Sequence, residues 1–397
     1  MTNWQHFSTI PDLPHPDIPV GLPVTRIILD NVRRNWQFLA SSAKTLPPMA
    51  VIKADAYGHG LEPVAKILVE AGCRTMAVGT MDEGVLLRHI LSGSGGEAVT
   101  IVPLLGVLSP RDAVSAVTHN LVPIVSTAEE AAFVSQAWTG SSPLPIGIKV
   151  ETGMSRLGFR EYEQEQIIAS LRSFANLKPS LLLSQLATAD DPDRDAATTA
   201  QVERFLATYT VLRAFWPDIA VSLGNSAGFL AQDILLSSLP PHIGRPGFAL
   251  YGGNPFAETS REHLGESFLP TMEVFAPVMG VYDLAPGRTV SYGCTFTAER
   301  KMRIAVVGAG YADGFSRGMS GKGQVCIRGE RCPVLGRVCM QKHIVDVTHI
   351  PEASFDDVAY ILGGEGPGKI TPNDLARNWG TIPYETFCLL GKNRRAY

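Results

Sequence analysis

No stretch of this 397-residue chain reaches the ~18 to 20 consecutive apolar residues needed to cross a bilayer. The opening MTNWQHFSTIPDLPHP has neither the basic flank nor the apolar core of a secretory leader. Neither sign of charge dominates: 34 lysines and arginines face 38 aspartates and glutamates, a net of −4. That balance argues against a nucleic-acid surface or a polybasic membrane tether. Cysteine is scarce, and its six copies form no CxxC pair; the nine histidines show no HExxH spacing. Disulfide-scaffold, zinc and thiol-redox readings are therefore weak. What remains is a reduced, cytoplasmic, metal-independent protein. Its 45% hydrophobic and 18% charged residues are a globular balance, and the length exceeds one ordinary core. Two domains, or a barrel with an appendage, are expected.

Five prolines between Pro11 and Pro23 predict an extended arm over 1–23. Short apolar runs then stand at 49–53, 75–79, 99–105, 122–126, 145–150, 180–186, 219–223 and, faintly, 241–245. Most are followed by segments of helical spacing, such as 62–71, 82–91, 127–138, 161–174 and 196–215. Strands apolar on both faces and separated by helices read as parallel. Eight of them predict an α/β fold, a (β/α)8 TIM-like barrel over 24–254. An open doubly wound sheet is the rival. From 255 to 397 the texture becomes mostly β, with runs at 302–308, 324–328, 332–338 and 343–348. Gly329-Glu330 reads as a hairpin connection, and Thr371, Pro372 and Asp374 read as a helix start.

Lys53 ends the first apolar run in MAVIKADAYGHG. Burying an unpaired ammonium is costly, so this lysine either snorkels at the strand mouth or presents an amine at the C-terminal rim, where barrels place their sites. Such an amine can condense with an aldehyde cofactor. Tyr57 follows, with Gly58 and Gly60. Three later segments reach the same rim. Arg156, in ETGMSRLGF, can clamp a carboxylate. Ser226, in LGNSAGF, and the amides of Gly247 and Phe248, in GRPGFALYGG, can cup an anion after strands seven and eight. An aldehyde trap beside a phosphate cup implies pyridoxal 5′-phosphate.

The segments AVIKADAYGHG (50–60), KVETGMSRLGF (149–159), GNSAG (224–228), RPGFALYG (245–252), VSYGCTF (290–296), GYADG (310–314), GRVCM (336–340) and IPYE (382–385) together resemble the alanine racemases, fold-type-III pyridoxal-phosphate enzymes, over about residues 24–397. The resemblance implies interconversion of L- and D-alanine by a two-base mechanism through an external aldimine. Lys53 would be the Schiff-base lysine and one base, and Tyr292 the opposing base. Tyr57, Ser226, Gly247, Phe248 and Tyr384 match phosphate ligands, and Arg245 matches the arginine facing the pyridine nitrogen. Arg156 and the Met340 amide match the substrate-carboxylate contacts, and Lys149 matches a lysine carbamylated in many relatives. A homodimer with shared active sites is also implied, with Tyr292 and Met340 supplied by the partner.

Three positions depart from that pattern. Gln185 and Ser222 stand where the family usually has histidines, and Gln341 where it has aspartate. The departures leave open a racemase of another amino acid, such as serine. A fold-type-III decarboxylase is disfavoured because its cysteine and histidine-glycine-serine segment are missing at matching positions. A pyridoxal-phosphate carrier is disfavoured by the β domain.

Overall fold

The computed structural model describes residues 22–93, 95–160 and 162–397, which fall into two compact units. The arm expected over 1–23 lies outside the described residues, apart from Leu22 and Pro23.

The α/β unit comprises Leu29–Ala56 and Gly60–Leu269. Strands Ala50–Val51, Thr75–Val78 and Thr100–Pro103 pair in parallel. A second parallel set runs Ile124–Val125, Leu144–Glu151, Leu177–Leu183, Ala220–Ser222, extended by a parallel bridge between Val221 and His242. Backbone hydrogen bonds continue at the free edges: Val122 N donates to Ile101 O at 2.9 Å, Met49 N to Gly244 O at 2.8 Å, and Val51 N to Pro246 O at 3.1 Å. The strands are apolar throughout because they are covered on both faces; Ile101, Val102, Ile124, Ile146, Ile148 and Leu182 are almost completely buried. Helices Met81–Leu91, Pro110–Thr118 and Ala128–Ala137 alternate with them, capped by Thr80, Ser109 and Thr127. Each cap hydroxyl takes one otherwise orphaned amide, which contributes ~1 kcal/mol.

The second unit comprises residues up to Ile28, Tyr57–His59 and Pro270–Tyr397. Six of its strands, Met272–Leu284, Met302–Val307, His343–Asp346, Glu330–Leu335, Gln324–Ile327 and Val358–Leu362, pair successively and antiparallel until the last meets the first. Such closure removes exposed edges. The hairpin between Gln324–Ile327 and Glu330–Leu335 pairs Ile327 with Glu330. Its two-residue turn is therefore Arg328-Gly329, one residue earlier than expected. Both turn residues have positive φ (51° and 78°), as a tight hairpin of this twist requires. The helix start at Thr371 is a reciprocal capping box with Asp374.

Two boundaries differ from the sequence reading. Strand Val24–Ile27, expected to open the barrel domain, pairs with Met272–Leu284 and Arg394–Ala396 in the β unit. Residues 255–269, expected in the β domain, group with the α/β unit. There the Arg261–Asp195 ion pair and the Asn35 amide, bonded to Leu269 N and O at 2.9 Å each, hold them.

Candidate active site

Lys53 follows Ile52 at the end of its strand and is exposed. The chain then does something its composition does not announce. Ala54, Asp55 and Ala56 have φ of 51 to 54° and ψ of 48 to 53°, and Tyr57 has φ 53°. Four successive non-glycine residues sit in the left-handed region, which costs roughly 1–2 kcal/mol each. Local bonds hold this turn: Ala56 N donates to Ile52 O (3.0 Å), Gly60 N to Asp55 O (3.0 Å) and Leu61 N to Asp55 Oδ1 (2.7 Å). Strain of this kind concentrates where geometry is being imposed.

Asn225 caps the short helix Ser226–Leu230 by accepting from Gly228 N at 3.0 Å. The buried Ser226 hydroxyl oxygen accepts from Gly247 N at 3.0 Å and Ala249 N at 3.2 Å. Ser226, Gly247 and the buried Phe248 thus form one group. Ala249 is a member that sequence reading missed, since an amide has no side-chain signature.

Arg245 is buried to 4% exposure, and its partners are all neutral oxygens. Its guanidinium donates to Ser222 Oγ (2.6 Å), Gln185 Oε1 (3.0 Å), Leu223 O (3.4 Å) and Ser184 O. Ser222 Oγ in turn donates to Ile243 O at 2.6 Å. Burial, and then the Arg156 charge, lower Arg245 to about 10. Lys149 is half-buried, donates to Leu104 O, and is pushed down to about 8 by burial, with Arg245, Arg156 and Lys53 adding repulsion and Glu130 opposing it. Four cations therefore act on one region. Arg156 lies exposed on a loop folded around Glu151, whose carboxylate accepts from Gly153, Met154 and Ser155 amides at 2.5 to 2.7 Å. Burial alone would raise Glu151, but those amides and Arg160 hold it below the usual range. Among the described residues, no group of three histidines, cysteines or acids is placed to hold a metal ion.

The β unit holds the other four candidates. Tyr57 is buried, its phenol raised well above the ordinary range by burial and by Tyr384 and Cys388. Its ring centroid lies 6.1 Å from that of Tyr384. Tyr292 stands at the tip of a small hairpin (Thr289–Val290 with Phe296–Thr297) and is 72% exposed. The hairpin base is anchored in an apolar cluster of Val290, Ala298, Met302, Ile304 and Leu335. Ser291 Oγ donates to Arg337 O at 2.6 Å, Tyr311 N to Cys339 O at 3.1 Å and Ala312 N to Met340 O at 2.9 Å. The VSYGCTF, GRVCM and GYADG segments thus converge, with the Met340 side chain 57% exposed.

This arrangement pairs an exposed amine with a cation-rich, hydroxyl-and-amide-lined neighbourhood, and comparison with known proteins meets it there. Residues 27–255 match the family of alanine racemase N-terminal domains, and residues 271–397 match the corresponding C-terminal domains. The chain belongs to the alanine racemase family. It is 44% identical over 372 residues to the alanine racemase of Nitratidesulfovibrio vulgaris (strain DSM 19637 / Miyazaki F), covering 94% of this chain and 97% of that one. It is 43% identical over 375 residues to the Lawsonia intracellularis alanine racemase, covering 93% and 95%. Among solved structures, the Bartonella henselae alanine racemase with covalently bound pyridoxal phosphate superposes with a TM-score of 0.82 at 27% identity, over 95% of this chain and 99% of that one. In this alanine racemase chain, two of the three departures noted in the sequence, Gln185 and Ser222, are the side chains that bind the Arg245 guanidinium. The third, Gln341, is exposed in the β unit beside Met340.

Proposed function

We propose that this chain is a pyridoxal-phosphate-dependent alanine racemase, an isomerase, whose parts divide as follows. Lys53 holds the cofactor covalently and serves as one base, and Tyr292 is the other. Ser226, with the Gly247 and Phe248 amides, Tyr57 and Tyr384, holds the phosphate. Arg156 and the Met340 amide take the substrate carboxylate. The cofactor, when bound, drains the electron pair left on the substrate α-carbon and so makes its hydrogen acidic. Racemisation then needs one proton acceptor and one donor on opposite faces, a task suited to an amine and a phenol.

The observation that carries this reading is geometric: within the α/β unit the buried Ser226 hydroxyl gathers the Gly247 and Ala249 amides, two and four residues past the buried Arg245. A hydroxyl-and-amide cup of this kind suits a phosphate, and burial with neighbouring cations lowers the Lys149 amine to about 8. Arg245 faces the pyridine nitrogen. Held by four oxygens and able only to donate, it cannot hand that nitrogen a proton as a carboxylic acid would. Lys149, with its lowered pKa, is suited to add to carbon dioxide, giving a carbamate and releasing one proton; the new carboxylate would brace Arg156.

The α/β unit is read as a closed (β/α)8 barrel. Supporting this are the parallel pairings and the hydrogen bonds 122→101 and 49→244, which link the two strand sets at both edges. The 1–23 arm, 24–254 barrel and 255–397 β domain remain the functional division, with the exchanges at 24–28 and 255–269 described above. A homodimer with shared sites is supported by the exposure of Tyr292 and Met340 together with Met279, Tyr282 and Tyr311. A cytoplasmic setting is supported by six free thiols; among the described residues no helix is long and apolar enough to cross a membrane.

A chiral product assay over a panel of L-amino acids that includes alanine and serine tests the activity. D-alanine as the dominant product is expected, along with a cofactor absorbance band that borohydride removes by fixing the label on Lys53. A preference for serine would change the substrate, and a label elsewhere would defeat the site.

A further inference from the structure

The left-handed turn after Lys53 has a support from outside its own segment. Glu83, in the first turn of helix Met81–Leu91, closes a capping box with Thr80: Thr80 Oγ1 accepts from Glu83 N at 3.1 Å, and Glu83 Oε2 accepts from Thr80 N at 3.1 Å. A capping glutamate needs no more than that. This one also accepts from Gly79 N at 2.7 Å through Oε2 and, through Oε1, from Ala54 N at 2.8 Å, 29 residues away. Ala54 is the first left-handed residue and the immediate neighbour of Lys53. Gly79 closes the arrangement from the other side. A Cβ built on it would stand 2.9 Å from Glu83 Oε2 and 3.5 Å from Lys53 Cβ, so that backbone passes directly against the lysine stem.

We propose that Glu83 is a positioning residue for Lys53: its carboxylate ties the Ala54 amide to the start of the neighbouring helix, holds the strained turn closed and so fixes the lysine amine for covalent capture of the cofactor. The proposal rests on the reading of Lys53 as the cofactor lysine. A carboxylate accepting three backbone amides is a charge-assisted, well-satisfied anchor. It adds a bond from a neighbouring helix to the local ones that hold the left-handed turn. Glu83 has no direct part in the chemistry, and its effect is transmitted wholly through the Ala54 peptide.

The step to measure is condensation of the Lys53 amine with the aldehyde of pyridoxal 5′-phosphate, which forms one C=N bond and releases one water. Cofactor-free wild type, Glu83→Ala, Glu83→Gln and Thr80→Ala are mixed with pyridoxal 5′-phosphate. Capture is followed by absorbance and by borohydride fixation on Lys53, and amide hydrogen exchange at 54–57 is measured before cofactor is added. Thr80→Ala weakens the helix start while leaving the Ala54 bond in place, so it reports the purely structural effect. Glu83→Ala should slow capture by about tenfold or more, because small misplacements of a reacting group carry penalties of that order. It should also speed exchange at 54–57, while Thr80→Ala stays within about twofold of wild type on both counts. Glu83→Gln, which keeps one carbonyl oxygen for the Ala54 amide, should lie between. If Glu83→Ala fails to fold, Gly79→Ala, whose methyl displaces the carboxylate, should reproduce the slow capture. Equal capture rates and equal exchange in the Glu83→Ala and Thr80→Ala proteins would overturn the proposal. Absence of label on Lys53 in the wild type would instead sink the reading beneath it.

Discussion

Arg245 and Tyr292 are handled in opposite ways. The arginine is buried, and its guanidinium is held by four oxygens from its own unit. The tyrosine stands on a hairpin tip with its ring 72% exposed, although the base of that hairpin is firmly packed. The α/β unit locks its arginine with its own atoms. The β unit packs the base of its hairpin and leaves the tyrosine at the tip outside. Preorganisation needs a locked support more than a buried functional group, so an anchored turn with an exposed tip is compatible with the proposed role of Tyr292 in a site shared between two copies.

The largest test of the contrast is Lys53→Ala. Removing the amine from the α/β unit should lower racemisation on the order of 10⁴-fold and abolish the borohydride-fixed label. Tyr292→Phe should cost on the order of 10³-fold but leave the label intact. It should also keep solvent exchange of the α-hydrogen for one alanine enantiomer only, read by mass spectrometry in deuterated water. Exchange surviving equally for both enantiomers would break the two-base assignment. Co-expressing the two inactive chains should restore part of the activity if sites are shared; verified heterodimers without activity would make each site self-sufficient.

Among the described residues, each unit also buries one histidine whose Nε2 has no hydrogen-bond partner: His242 in the α/β unit and His343 in the β unit. His343 stacks on Phe315 (centroids 4.3 Å apart) and approaches Ala309 O through Nδ1 at 2.7 Å, so Nδ1 carries the proton. Burial lowers it to about 4, from 6.5; His242 is lowered too, by burial, against the Pro240 carbonyl that favours its charged form. A histidine kept neutral in the fold contributes stability that is full above its unfolded pKa and fades as pH falls toward the folded one. Wild type should therefore lose about 2 kcal/mol through His343 alone between pH 7 and 5. His343→Leu should remove that slope from urea unfolding and His242→Leu a smaller part. An unchanged slope in the first variant would place the acid sensitivity elsewhere. Smallest is Ser222→Ala, which deletes one bond to a buried cation. It should cost about 1.5 kcal/mol of stability and shift the cofactor absorbance, where a merely structural loss would leave the band in place.

Patterns that repeat locally were legible in the sequence. Each of the eight apolar runs overlaps a parallel strand or bridge, including the faint one at 241–245, where His242 pairs with Val221. The Lys53 and Ser226 segments stood out as candidates by residue type in context, and the structure puts Lys53 at a strand end and Ser226 at a helix start. Legibility failed where a partner is remote or is a peptide group. Strand Val24–Ile27 could not announce that its neighbours are Met272–Leu284 and Arg394–Ala396, because pairing across most of the chain leaves no local trace. The carbonyls of Ser184 and Leu223 that hold Arg245 are features any residue could supply. The left-handed run at 54–57 defied its own sequence, since two alanines, an aspartate and a tyrosine give no warning of positive φ. Such local contradictions mark places where tertiary contacts have won.

The pairing of Val24–Ile27 with Arg394–Ala396, reinforced by Thr25 Oγ1 donating to Leu390 O at 2.7 Å, sets an order of assembly. On the ribosome Val24–Ile27 has no partner until Met272–Leu284 has been made, and its second neighbour comes later still. The α/β unit, complete by residue 269, is free to fold in the meantime.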